Sequence, residues 1–228
     1  MTTFNRSVPE INVHMPAFAV KDKWSARTHF WGLVGAIIAT PILMIRAAGC
    51  SMAAQISFAL FMLSMILLYG ASTSYHAFNI GSKGNLKLKR LDHISIFWLI
   101  AGSYAPICIQ VLKEDGRLLL VCVIGLAVCG TVFKLFWVTC PRYVSSVIYI
   151  GMGWACMSVA PQLISAMSTA SFGWLLAGGL FYTAGGVIYA IKKPLIRLKG
   201  FGNHELFHCF VLAGSLCHYI LMAAYLCA

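Results

Sequence analysis

The 228-residue chain is 60% hydrophobic and only 10% charged, and its mean hydropathy of +0.83 excludes a soluble globular domain, in which about a quarter of the residues are charged. Its formal net charge of +11 would suit nucleic acid, but the cations fall in short gaps between apolar blocks and form no surface stripe. The excess therefore reads as membrane topology, and no nucleic-acid partner is expected.

From the N-terminus, residues 1–27 are polar and mixed, without the basic, apolar, small-residue order of a cleavable signal peptide. They form a cytoplasmic segment, and the first membrane helix itself acts as the insertion signal. Apolar blocks then run over about 28–45, 53–75, 92–111, 117–138, 144–163, 172–191 and 204–227. Each has roughly the twenty residues a helix needs to cross a hydrocarbon core of about 30 Å, and the blocks lack the short alternating strands of a barrel. The chain is therefore predicted to be an all-α integral membrane protein, a seven-transmembrane helix bundle over 28–228. Gly81 to Asn85, Pro141 and Gly200 to Asn203 mark connecting turns, so neither a second domain nor a long linker is needed. The nine cysteines, at positions 50, 108, 122, 129, 140, 156, 209, 217 and 227, form no C-x-x-C pair. They indicate neither a zinc knuckle nor a disulfide framework and read as small buried hydrophobes.

Seven spans put the termini on opposite sides, and the Lys/Arg bias decides which is where. One side holds Arg6, Lys21, Lys23 and Arg27, then Lys83, Lys87, Lys89 and Arg90, then Lys192, Lys193, Arg197 and Lys199, with Arg142 and a snorkelling Lys134. The other holds Arg46, Lys113 and Arg117. The N-terminus is thus expected in the cytoplasm and the C-terminus outside.

With odd spans running outward and even spans inward, each polar residue acquires a depth. His76 closes the second span, Asp92 opens the third, and His204 and His208 open the seventh. All four fall in the inner leaflet, within about two helical turns of the cytoplasmic boundary. Ser72 lies one turn before His76 on the same face. Three imidazoles with a carboxylate nearby form the arrangement of a hydrolytic zinc centre, and ionisable groups at membrane depth are functional candidates by default. The bland reading of each histidine is an interfacial residue bonded to a neighbouring carbonyl; the shared depth of several argues against it. His93 points about 100° away from Asp92 and is expected to pack or to face headgroups. His218 lies about 21 Å beyond His204 along the helix, near the outer leaflet and out of reach of the same ion. His29, near the inner end of the first span, is a weak candidate, and His14 in the tail carries no information. His204-Glu205-Leu206-Phe207-His208 also matches H-E-x-x-H, in which the glutamate serves as general base of a zinc protease. That match is short, it leaves His76 unexplained, and Glu205 can equally complement the helix dipole as a first-turn acid.

Three stretches carry a resemblance: Ala71-Ser72-Thr73-Ser74-Tyr75-His76-Ala77; Leu91-Asp92-His93 running into Ile100-Ala101-Gly102-Ser103-Tyr104-Ala105-Pro106; and Asn203-His204-Glu205-Leu206-Phe207-His208 with Gly214-Ser215-Leu216-Cys217-His218-Tyr219. In this order, and over nearly the whole chain, they resemble the hemolysin III proteins, the bacterial branch of the progestin and adiponectin receptor (PAQR) superfamily. The resemblance implies seven helices, a cytoplasmic N-terminus and a zinc ion near the inner face of a bacterial plasma (inner) membrane. It implies His76, His204 and His208 as zinc ligands, Asp92 as the residue that holds or activates the zinc-bound water, and Ser72 as the adjacent hydroxyl. Related receptors are similar to lipid amidases that hydrolyse ceramide. The position between the paired histidines looks variable in the family, which takes weight from Glu205. The chain also lacks the long N-terminal domain of the animal receptors, so a hormone ligand is not expected.

The leading expectation is a zinc-dependent hydrolase of amide or ester bonds in membrane lipids, acting in lipid homeostasis with membrane lipids as its partners. The second is a non-enzymatic sensor or regulator of membrane state, with zinc as a structural tie between the second and seventh spans. A cytolytic pore, suggested by the family name, has no chain-spanning polar stripe to support it. Three histidines suit copper, iron or nickel as well as zinc, and the sequence leaves the lipid class and the oligomeric state open.

Overall fold

The computed structural model describes residues 20–191, 193–196 and 198–227; Arg6, His14, Lys192 and Arg197, which entered the reading of charge and histidines, lie outside the described residues. The apolar blocks form seven helical stretches long and apolar enough to cross a membrane. These are α1 (Lys23–Arg46), α2 (Met52–Ala77), α3 (Gly81–Pro106), α4 (Glu114–Trp137), α5 (Arg142–Gly153) continued through a 3-10 turn by α6 (Ala160–Ala166), α7 (Thr169–Ala190) and α8 (Asn203–Leu221). Trp31, Ile45, Leu118, Phe136 and Val147 are exposed on the outside of the bundle, a surface that lipid tails solvate and water would not.

The helices pack in a ring. α1 lies against α2, α2 against α3, α3 against α5, α5 against α7, α7 against α8, and α8 returns to α1. α4 packs chiefly on α3 and contributes none of the described residues that line the central cavity. Six spans thus enclose the cavity, and the fourth buttresses it from outside.

Two helices depart from the sequence pattern. α3 starts at Gly81, well before the apolar block at 92, because the Lys/Leu-rich run from Leu86 to Leu91 is made of strong helix formers. The Asn85 side chain accepts from the Ile80 N–H at 3.0 Å, so residues expected to form a turn make the first helical turn instead. The block at 144–163 is not one helix. After Gly153 it tightens into a 3-10 segment, Trp154–Val159, and the Tyr104 hydroxyl donates to the Met152 and Gly153 carbonyls at 3.1 and 2.7 Å. The same oxygen accepts from the Cys156 N–H at 3.0 Å, so one phenol satisfies the backbone groups that the change of helix type sets free.

Lys134 does not snorkel. Its side chain is wholly buried, and its Nζ donates to Ser145 Oγ at 2.6 Å and to Cys140 Sγ at 3.1 Å, which joins α4 to α5. The cysteines are also not uniformly internal: Cys108, Cys140 and Cys217 are buried, whereas Cys122 and Cys129 are exposed on α4, where a thiol is as compatible with lipid as with a core.

Candidate metal centre

The end of the bundle that carries Lys23, Lys83, Lys87, Lys89 and Arg142, here the basic end, gathers the polar side chains. His76 sits in the last turn of α2, and His204 and His208 lie one turn apart at the start of α8. One ring nitrogen from each of the three lies within 4.8 Å of the others, and His76 Nε2 and His204 Nε2 are 3.1 Å apart. A tetrahedral site with metal–nitrogen bonds of about 2.0–2.1 Å has ligand–ligand edges of roughly 3.3 Å. The three-histidine set therefore fits a metal ion, and nitrogen ligands alone do not select which one.

Residues on α1 and just before it orient those rings. The Asp22 carboxylate accepts from His76 Nδ1 at 3.0 Å, so the proton sits on Nδ1 and the Nε2 lone pair is free for the site. Asp22 occupies the N-cap position of α1 yet makes no side-chain capping bond; its carboxylate is committed to the histidine. Thr28 Oγ1 gives its one proton to the Ser25 carbonyl at 2.9 Å. Toward His208 Nδ1, 3.1 Å away, it is therefore the acceptor, and again Nε2 is left free. The segment before α1 is fixed by backbone bonds from Asp22 N to the His76 carbonyl at 2.9 Å and from Lys21 N to the Ala77 carbonyl at 3.3 Å. Lys21 Nζ donates to the Tyr75 carbonyl at 2.5 Å and lies 3.7 Å over the Tyr75 ring. These contacts cap carbonyls at the end of α2 that have no intrahelical partner. Burial lowers the Lys21 ammonium below the ordinary lysine range, against the opposing pull of Asp22 and Asp92.

The other residues expected at the site take distinct places. Asp92 and Ser72 are both buried and line the cavity beside His204 and His208. Asp92 sits among Ser72, His76, Lys21 and Lys89, outside the three-histidine cluster, and the Ser72 hydroxyl makes no hydrogen bond of normal geometry among the described residues. Glu205 is engaged through both of its oxygens. One carboxylate oxygen accepts from Ser25 Oγ at 2.5 Å and the other from the Gly202 N–H at 2.8 Å, so it caps α8 and ties it to α1. That geometry argues against the protease reading of H-E-x-x-H, since it commits the carboxylate to Ser25 and the Gly202 backbone, away from a role as general base. Gly200, at φ +78°, makes the tight turn before α8, and its backbone is held by the Leu198–Phe201 pairing. Asn203 Oδ1 then accepts from the Leu195 N–H at 2.8 Å.

His29 proves closer than its sequence position indicates. Its ring stacks on His208 at 3.6 Å with planes 6° apart, and both of its nitrogens are buried without a partner among the described residues. His93 packs inward and lines the cavity. Asp22, Ser25 and Thr28 escaped the sequence reading because they precede or open the first span, and nothing local shows that their side chains reach α2 and α8. The one available signal was an Asp just before a helix whose first turn holds no other acid.

The family model described as Haemolysin-III related matches residues 19–219. The Hemolysin-3 homolog of Bacillus subtilis (strain 168) is 36% identical over 211 residues, covering 91% of this chain and 96% of its own. Hemolysin-3 of Bacillus cereus is 34% identical over 203 residues, 88% of this chain and 90% of its own. The Adiponectin receptor protein of Drosophila melanogaster is 26% identical over 212 residues, 84% of this chain but 48% of that longer protein.

Proposed function

Because the chain belongs to the haemolysin III-related family, within the wider progestin and adipoQ receptor superfamily, and is a multi-pass bacterial membrane protein, we propose that it hydrolyses an amide or ester bond of a membrane lipid, with zinc held by His76, His204 and His208. The observation that carries the reading is the meeting of three functions in one place. Metal-competent imidazoles, a buried carboxylate (Asp92) and the buried Ser72 hydroxyl beside it meet where a cavity lined mainly by apolar side chains reaches the basic end. The N-terminus lies in the cytoplasm on this reading, following the Lys/Arg bias, and the site opens at inner-leaflet depth. The lipid substrate enters from the bilayer with its acyl chain in the cavity.

Zinc in this position supplies Lewis acidity toward water and toward a carbonyl oxygen. Asp92 accepts the proton of the attacking water and returns it to the departing amine or alcohol, so that the carbonyl carbon gains a hydroxyl and loses its amide or ester partner. Ser72 Oγ donates to the substrate carbonyl or to that water. Asp22 and Thr28 hold the His76 and His208 rings with Nε2 toward the centre, and the flanking spans exclude bulk water. The test is turnover of a broad bacterial lipid extract by purified, zinc-loaded protein. Native protein is expected to release fatty acid, Asp92→Asn to keep its metal and lose turnover, and His208→Ala to lose both. Equal inactivity of native and His208→Ala protein would remove the hydrolase reading.

A structural tie is the second reading, favoured by the fact that the three histidines join α2 to α8 while α1 braces both. It requires Asp92 to complete a closed set of four ligands, since catalytic zinc keeps an open position. Large destabilisation by a chelator with no lipid turnover, and metal lost in Asp92→Asn, would select it.

A further inference from the structure

The cavity has a second polar station at its far end. His218 is 7% exposed and lines the same cavity as His204 and His208, yet neither of its ring nitrogens has a hydrogen-bond partner among the described residues. An unsatisfied buried polar group is costly, and an ionisable one within a membrane is a candidate functional site whose partner is to be named.

The surroundings show that the imidazole is accommodated on purpose. The Cδ2–Nε2 edge of the ring lies against Gly178 of α7, where any Cβ would overlap it, and Tyr182 packs edge-on at 5.4 Å. The other polar groups at this end are already engaged. Tyr69 and Tyr182 hydroxyls both meet Ser215 Oγ, at 2.6 and 2.9 Å. Thr183 Oγ1 donates to the Gly179 carbonyl and accepts from Trp154 Nε1, at 2.7 and 2.8 Å. Tyr104 serves the backbone where α5 becomes a 3-10 turn. The Leu175 carbonyl lies toward His218 without reaching bonding geometry. It can take the ring N–H after a small adjustment, because a neutral imidazole has one N–H and one lone pair. The remaining nitrogen is then an acceptor on a residue that lines the cavity, and no group among the described residues donates to it.

We propose that His218 receives a hydroxyl group carried far along the chain of the amphiphile whose polar end sits at His76, His204 and His208. The substrate class is thus a hydroxylated long-chain lipid rather than a plain one. His218 follows His208 by ten residues on the continuous helix α8, so the two polar groups of the ligand lie about 15 Å apart, and about 21 Å when measured from His204, at the standard helical rise. The inference rests on the lipid-site reading above, but its test separates the two.

Metal-loaded protein in detergent is titrated with a length series of saturated long-chain acids and with their terminal-hydroxyl counterparts, and dissociation constants are compared for native protein, His218→Leu and His218→Gln. Native protein is expected to prefer the hydroxy acid about three- to tenfold at one chain length, the worth of one hydrogen bond. His218→Leu should erase the preference while binding the plain acid at least as well, and His218→Gln, which keeps a donor and an acceptor, should retain part of it. Should His218→Leu fail to fold, the native series and His218→Gln decide. Equal binding of both acids at every length, or a preference that survives in His218→Leu, overturns the assignment of His218 alone. Absence of binding by either series to native protein overturns the lipid-site reading with it.

Discussion

His208 and His218 stand ten residues apart on one helix, both buried and both facing one cavity, and differ in what holds them. The outer nitrogen of His208 is fixed by Thr28, as that of His76 is by Asp22, so the inner nitrogens are aimed before any ligand arrives. Among the described residues, no side chain holds either nitrogen of His218. In a medium without water, a group with an oriented outer bond is prepared for a metal, whereas a group with no bond at all awaits a partner brought by the ligand. The basic end is therefore built by the protein, and the far end is to be completed by what binds.

The sharpest way to break that contrast is at the metal end. His208→Ala and His76→Ala should each reduce bound metal to near zero by elemental analysis of purified protein, while His218→Gln retains it in full; metal loss in His218→Gln would mean the two ends are not separate. Asp22→Ala comes next, since removing a carboxylate behind a ligating histidine lowers metal affinity about 10–100-fold, measured by competition with a chromogenic chelator. An unchanged affinity would show that Asp22 only anchors the chain before α1. Gly178→Ala should act at the other end alone, costing about 1–3 kcal/mol of thermal or denaturant stability through overpacking against His218, with metal content unaltered. The smallest effect is expected of Glu205→Gln: about 1 kcal/mol lost with the α8 cap, and turnover of any lipid substrate kept within a few-fold. A collapse of turnover with the fold intact would return the catalytic base to Glu205.

Residue order carries far in a membrane chain. His76, Asp92, His204 and His208 could be placed in one layer because each lies next to a basic gap, and the bilayer turns sequence position into height. Height does not give azimuth. His29 was as near to the layer as Asp92, but whether α1 turns that ring toward α8 depends on how the helices pack around the ring, and Ala26, Ala36 and Leu43 show no pattern strong enough to fix α1's buried face. For the same reason His218 was set at the right height, while the fact that it shares the cavity with the metal site was not readable.

What the sequence alone determined is the number of helices, the all-helical class, the family and the three metal-competent histidines, because apolar block length, i to i+4 spacing and motif order are properties of neighbouring residues. Only the tertiary structure decided that Glu205 caps α8, that Asp22 and Thr28 orient the rings, that Lys134 is buried against Ser145 and Cys140, and that His218 has no partner among the described residues. Those are outcomes of hydrogen-bond accounting between segments as much as 180 residues apart. A polar side chain in a membrane takes whichever partner the packed helices bring within 3 Å or so, and that choice is made in three dimensions.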